Sequence, residues 1–398
     1  MPITQTTTFR DIPLGRPSLD EREADAARRA ILSGWVTQGP EVAAFEREFA
    51  AAVGAPYACA VSNCTTALHL ALLAAGVGDG DEVITVSHSF IATANAVRYC
   101  GAVPVFVDID ARTFNIDPDR VLAAIGPRTR AIIAVHQIGM PCDLARLVPI
   151  ARQHGLTLIE DAACAAGSQI LWDGTWQPIG KPHGDIACFS FHPRKVITTG
   201  DGGMITTNNA SWDAQFRLWR QHGMTVPDTA RHGARRVILE SYSTVGYNYR
   251  MTDIQAAVGR EQLKRLPQIL ARRRELAARY HAALSTVPGL KPPYEPAWAR
   301  SNWQSYCVWL PDDVDQIDVM QQMLDQGIST KRGIMCAHRQ AAYASEPWLP
   351  GPGAAQLTTS ESAEDRAILL PLYSELTDED QDRVISTLRR ALTVAVAS

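Results

Sequence analysis

Phe189-Ser190-Phe191-His192-Pro193-Arg194-Lys195-Val196-Ile197-Thr198-Thr199-Gly200-Asp201-Gly202-Gly203 sets one lysine between an apolar run, Ile186 to Phe191, and a glycine-rich turn. The run reads as a buried strand, and the lysine falls just past its end. An amine at the edge of a core is partly desolvated, which favours its neutral, nucleophilic form. That is what attack on an aldehyde requires. The rival reading is a surface lysine beside a loop, and a second stretch upstream argues against it.

Leu156-Thr157-Leu158-Ile159-Glu160-Asp161-Ala162-Ala163-Cys164-Ala165-Ala166-Gly167 also reads as a buried strand, with a carboxylate pair at its C-terminal end. Ligands of open α/β sheets bind outside the carboxyl ends of the strands. A buried Asp161 there needs a cationic partner. The protonated ring nitrogen of pyridoxal 5'-phosphate is such a partner, and an Asp on it keeps the ring an electron sink. Taken alone, Asp161 could instead cap the next helix; together with Lys195 it points to that cofactor. A third element follows the strand-like Tyr57–Val61. Ser62-Asn63-Cys64-Thr65-Thr66 opens a helix that ends at Gly76, and free amides and hydroxyls at a helix N-terminus form a phosphate seat.

The 398 residues suffice for two domains with a sizeable core. With 46% hydrophobic and 20% charged residues, the chain falls among soluble globular proteins. A net charge of -4 argues against a nucleic-acid partner, which wants a basic face. Any phosphate or diphosphate must then be held by a local cluster. Met1-Pro2-Ile3-Thr4-Gln5-Thr6 carries no signal-peptide pattern, and no apolar run is long enough to span a membrane, so a cytoplasmic protein is expected. The eight cysteines form no C-x-x-C pair and the ten histidines no H-E-x-x-H. Reduced thiols and no metal site are expected.

Strands are predicted at Tyr57–Val61, Glu82–Val86, Val103–Asp108, Ala131–Val135, Leu156–Asp161, Ile186–Phe191 and Met204–Thr207. Helices are predicted at Ser89–Cys100, Pro118–Ile125 and Cys142–His154 between the first of them. Apolar strands separated by helices give a mostly parallel sheet covered on both faces. Upstream, Ser18-x-x-Glu21 reads as a capping box for a helix ending near Gly34, followed by a helix with Phe45 and Phe49 on one face. Beyond Arg250 a long helical region runs from Thr252 to about Thr286. A Pro-rich coil follows, then a smaller mixed portion with a strand at Ser305–Leu310 and a last helix capped by Thr377-x-x-Asp380. The expected division is a large domain over 1–260 and a small α+β domain over 261–398.

These motifs, with Ile12-Pro13-Leu14-Gly15-Arg16-Pro17, Gly34-Trp35-Val36-Thr37-Gln38-Gly39-Pro40, Val105-Phe106-Val107-Asp108-Ile109-Asp110, Gly246-Tyr247-Asn248-Tyr249-Arg250-Met251 and Leu369-Leu370-Pro371-Leu372-Tyr373, span nearly the whole chain. In that order they resemble the DegT/DnrJ/EryC1/StrS family of sugar aminotransferases, which have the fold type I architecture of pyridoxal-phosphate enzymes. The resemblance implies an α/β fold with a mostly parallel seven-stranded sheet between helices. It implies that Lys195 carries the cofactor as a Schiff base and shuttles protons, and that Asp161 pairs with the ring nitrogen. Thr65, Thr66 and Ser190 would hold the phosphate, and Phe90 would stack on the ring. Asn248 would reach the phosphate of a neighbouring subunit, implying a homodimer with shared sites. Arg332 and His338, in Arg332-Gly333-Ile334-Met335-Cys336-Ala337-His338-Arg339, resemble a substrate-facing segment. Where Cys164 stands the family usually has His or Gln beside the ring, and the smaller thiol removes a hydrogen-bonding partner. Where Cys64 stands glycine is more usual.

The implied reaction moves an amino group from glutamate or glutamine to the ketone of a nucleotide-linked keto-sugar, or of a keto-cyclitol. The family's nucleotide-sugar dehydratases carry His where Lys195 stands. A non-catalytic scaffold would be expected to lose Lys195 or Asp161, and both are present.

Overall fold

Runs of Val, Ile, Ala and Cys with no polar face become strands buried on both sides, because water can reach neither. In the computed structural model, which describes residues 11–226, 231–232, 234–351 and 357–395, they form most of one sheet. Its strands are β1 (Tyr57–Val61), β2 (Glu82–Val86), β3 (Val103–Val107), β4 (Thr129–Val135), β5 (Thr157–Asp161), β8 (Ile186–Ser190) and β9 (Gly203–Thr207), with β13 (Leu349–Pro350) added. The order is β1-β9-β8-β5-β4-β2-β3-β13. β9 alone runs against its neighbours, β1 and β8; the other pairs are parallel. The seven expected strands are all present. The eighth is two residues long, too short to show in the sequence, and its Pro350 suits an edge because it cannot donate to a ladder.

Helices α1 (Glu21–Ser33), α2 (Pro40–Val53), α3 (Cys64–Ala74), α4 (Ala92–Tyr99), α5 (Pro118–Ala124), α6 (Leu144–Gln153) and α7 (Ala210–Trp219) alternate with or flank these strands. The capping box of α1 is formed by Asp20 and Glu23, two residues later than expected. Ser18 instead receives Arg265, whose guanidinium donates to its hydroxyl (2.9 Å) and its carbonyl (3.0 Å). Glycine in the left-handed region at Gly34 (φ 83°) ends the helix. In α2, Phe45 and Phe49 pack edge-on or tilted against Phe189 and Phe191, with centroids 4.9–5.6 Å apart. Such contacts are favourable beyond the area they bury. They anchor the strand that leads to Lys195.

A hairpin absent from the predicted elements, β6 (Gln169–Trp172) and β7 (Thr175–Pro178), pairs with the short β10 (Ala299–Arg300). Asp173 and Gly174 join β6 and β7 with φ of 48° and 75°, the two left-handed residues of a type I′ turn. The long helix Asp253–Leu284, capped by Thr252 with Gln255, belongs to two apolar cores. Its Ile269 joins the core around the large sheet. Its Leu276, Tyr280 and Leu284 join a second core built on β11 (Tyr306–Trp309), β14 (Ala367–Leu370) and the last helix, Asp378–Ala395. Strand β12 (Lys331–Arg332) pairs with β14.

No helix among the described residues is long and apolar enough to cross a membrane. The N-terminal residues on which the signal-peptide reading rests lie outside the described residues. None of the eight cysteines is bonded to another.

Candidate active site

β1, β2, β5 and β8 run in one direction and end on one side of the sheet, and Thr65, Thr66, Phe90, Asp161, Ser190 and Lys195 lie at or beyond those ends. Asp161 is the last residue of β5, paired in register with Cys188 of β8. Its carboxylate is buried. Oδ2 accepts from the Thr93 hydroxyl at 2.8 Å and Oδ1 from the Ala163 N–H at 3.2 Å. It makes no ion pair among the described residues. Burial pushes its pKa up, against the opposing pull of the Thr93 and Ala163 hydrogen bonds and of Lys195. A cation brought to this carboxylate would favour its charged form.

Lys195 lies five residues beyond β8, in a turn closed by its own N–H donating to the His192 carbonyl at 2.8 Å. Its Nζ donates to Cys164 Sγ at 3.1 Å. Burial acts as expected, toward the neutral amine. Cys164, Cys64 and Asp161 nevertheless outweigh it and hold the amine above the ordinary lysine value. Burial thus favours the neutral amine read from the sequence, while the Cys164 contact and Asp161 act in the opposite direction. The thiol at 164 accepts from this amine.

The residues expected to seat a phosphate offer both backbone and side-chain donors. Asn63 caps α3, its Oδ1 accepting from the Thr66 N–H at 2.9 Å. The Thr66 hydroxyl donates to the Asn63 carbonyl at 2.8 Å and so serves the cap. The amides of Cys64 and Thr65 and the Thr65 hydroxyl have no partner among the described residues, and such first-turn donors hold anions. Gly203 of β9 crosses here: a Cβ would come within 2.5 Å of the Asn63 carbonyl and 2.9 Å of the Cys64 amide. Only glycine allows that approach. Ser190 is buried and its Oγ accepts from the His192 N–H at 3.4 Å, which leaves its own O–H to donate.

Phe90 precedes α4 instead of lying within it, and 69% of its surface is exposed. Asn248 is exposed, joined through its backbone to Gln221, with no partner for its side chain among the described residues. The two substrate-facing candidates are already engaged. Arg332 pairs with Glu364 at 3.3 Å. His338 is held between Ser87 Oγ (2.6 Å) and Glu361 (3.1 Å). Beside Arg332, Lys331 has no carboxylate partner among the described residues. Burial and the nearby Arg194, Arg332 and Lys195 cations push its pKa down. Sequence reasoning missed Lys331, although it adjoins a residue that was singled out. Thr93 was missed as well, and it lies three residues beyond Phe90.

These residues fit pyridoxal phosphate. A buried carboxylate lacks a cation, an amine stands at the end of the next strand, two amides are free at a helix N-terminus, and an aromatic face is open. The comparisons agree with that geometry. Residues 17–389 match the model of the DegT/DnrJ/EryC1/StrS aminotransferase family. The spore coat polysaccharide biosynthesis protein SpsC of Bacillus subtilis is 36% identical over 382 residues, 95% of this chain and 96% of that protein. The aminotransferase TlmJ from Streptoalloteichus hindustanus is 34% identical, with a TM-score of 0.87 over 97% of this chain and 100% of that one. DesV from S. venezuelae is 32% identical, with a TM-score of 0.85 over 96% of this chain and 98% of that one.

Proposed function

The chain belongs to the DegT/DnrJ/EryC1/StrS aminotransferase family, and from that membership we propose that it moves an amino group from glutamate or glutamine to the ketone of a nucleotide-linked keto-sugar. The observation that carries the reading is the pairing of Lys195 with Asp161. β5 and β8 are parallel neighbours, β5 ending in the buried Asp161 carboxylate without a cation and Lys195 lying five residues beyond β8. When bound, pyridoxal phosphate supplies the aldehyde and the electron-accepting ring that carry the amino group. Asp161 would hold the proton on the ring nitrogen. Lys195 would attach the cofactor and move protons at the amine-bearing carbon. The amides of Cys64 and Thr65, the Thr65 hydroxyl and Ser190 would bind the phosphate, with Thr66 keeping the cap that presents them. Phe90 would cover one face of the ring, and Cys164 would stand beside the amine.

The cations Arg194, Arg332 and Lys195 around Lys331 support substrates with anionic groups, a carboxylate on the donor and a diphosphate on the acceptor. Arg332 and His338 would act from the places where Glu364 and Glu361 hold them. A keto-cyclitol would leave the diphosphate part of that charge unused. The test is a panel of keto-sugar nucleotides and keto-cyclitols offered to the amine-loaded enzyme, with products read by mass spectrometry. Amination of a keto-sugar nucleotide is expected; amination of keto-cyclitols alone would overturn the acceptor assignment.

A homodimer with shared sites is part of the proposal. Val237, Leu239 and Val245 are exposed close in sequence to Asn248, and large exposed apolar side chains of this kind suit an interaction face. If Asn248 completes the phosphate seat of a second copy, Lys195→Ala and Asn248→Asp complement each other. Mixed dimers then hold one intact site, and about a quarter of wild-type activity returns on random mixing of two-fold dimers. Verified hybrids with no recovery would mean that Asn248 serves its own subunit or none.

A further inference from the structure

The pair Lys195–Cys164 is presented by two loops, and one buried strap grips both. Ser301, Asn302 and Gln304 lie in the segment between β10 and β11 and are buried. The Asn302 Nδ2 donates to the Cys164 carbonyl at 2.7 Å and to the Ala166 carbonyl at 3.0 Å. Its Oδ1 accepts from the Gln304 N–H at 2.8 Å. Its own N–H donates to Ser168 Oγ at 3.1 Å, and that hydroxyl donates to the Gly139 carbonyl at 2.7 Å. The Gln304 Nε2 donates to the carbonyl of Arg194, the residue before Lys195. Asn302 thus holds the backbone of the thiol, and Gln304 holds the backbone of the lysine.

The strap is fixed from behind. Arg273, buried on the long helix, donates to the carbonyls of Trp303 (3.1 Å), Gln304 (2.9 Å) and Leu372 (3.0 Å). Trp303 sits at φ 53°, a left-handed conformation that a bulky residue keeps only where its surroundings impose it. Gly139, at φ 96°, has room for nothing larger, since a Cβ would run into Asn302 Oδ1. Every donor and acceptor of the Asn302 amide is used, and the same geometry fails with Asp, Ser or Ala. Without these bonds the carbonyls of Cys164 and Ala166 and the Gln304 N–H would lose their partner, at the cost of a buried unpaired polar group.

We propose that Asn302 is a positioning residue that sets the Cys164 thiol against the Lys195 amine and so tunes the amine for cofactor capture. The proposal rests on Lys195 being the reacting lysine. The groups that act on the amine are Cys164, Cys64 and Asp161, which favour its charge, with His192, Arg194 and Lys331 as neighbouring bases. Losing the Cys164 contact removes support for the cation, so the neutral amine appears at lower pH.

The test follows, against pH, the rate at which the full-length protein stripped of cofactor captures added pyridoxal 5'-phosphate, read as visible Schiff-base absorbance. Asn302→Ala and Asn302→Ser are expected to move the midpoint down by about one pH unit, the effect of one charge-assisted hydrogen bond. Cys164→Ala should move it equally, and the double variant no further, because the two act in series. An unmoved midpoint in a folded Asn302 variant, or additive shifts in the double variant, overturns the proposal. Should neither Asn302 variant fold, Gln304→Ala must produce the shift, and its failure to do so overturns the proposal as well. Capture of the cofactor by the wild type at a lysine other than Lys195 would instead refute the reading on which the proposal rests.

Discussion

Lys195→Ala is expected to leave less than about one ten-thousandth of wild-type turnover, the upper end of what a positioned acid–base group supplies. The side chain has one hydrogen bond, to Cys164, and no ion pair among the described residues. Its removal therefore breaks no buried charge network, and the variant should fold with a melting temperature close to wild type. It should still take up pyridoxal phosphate, because the amides of Cys64 and Thr65 and the open face of Phe90 do not depend on it. Single-turnover mixing with glutamate, alongside a cofactor-retention assay, separates lost chemistry from lost binding. Turnover above about one per cent would show that another group moves the proton, since a loss of only two orders lies at the lower end for such groups.

Asp161→Asn is expected to lower kcat/KM by about two to four orders of magnitude. Removing one member of a buried charge pair costs roughly 3–5 kcal/mol, and each 1.36 kcal/mol of barrier is about tenfold in rate. The substitution keeps the shape. The Asn carbonyl can still accept from the Ala163 N–H, and the Thr93 hydroxyl, 2.9 Å from Ser89 Oγ, can turn to accept from the new amide. Stability should change little, so a rate loss reports the missing charge. Near-normal turnover in Asp161→Asn is incompatible with a proton held on the ring nitrogen by this carboxylate.

The sheet was legible because its strands are short apolar runs. β1, β2, β3, β5, β8 and β9 lie within a residue of the predicted spans, and β4 begins two residues earlier. Lys195 and Asp161 were legible for the same reason: each follows such a run, and the ends of parallel strands gather on one side. Other features depend on partners far along the chain. Ser18-x-x-Glu21 and Asp20-x-x-Glu23 are both plausible caps locally, and Arg265 decides between them by taking Ser18. Asn302 meets Cys164 across 138 positions, with no local pattern to announce it. Arg332 and His338 look like free bases in the sequence, whereas Glu364 and Glu361 engage them. The β6–β7 hairpin is different, since Asp173-Gly174 is a type I′ signal present in the sequence.

Reduction of the cofactor-loaded wild-type protein with borohydride, followed by peptide mapping, tests the central claim most directly. The account predicts that the cofactor is fixed to the peptide containing Lys195, in the segment between β8 and β9, and to no other. Label on any other lysine, or a protein that takes up pyridoxal phosphate with no covalent label after reduction, would contradict it.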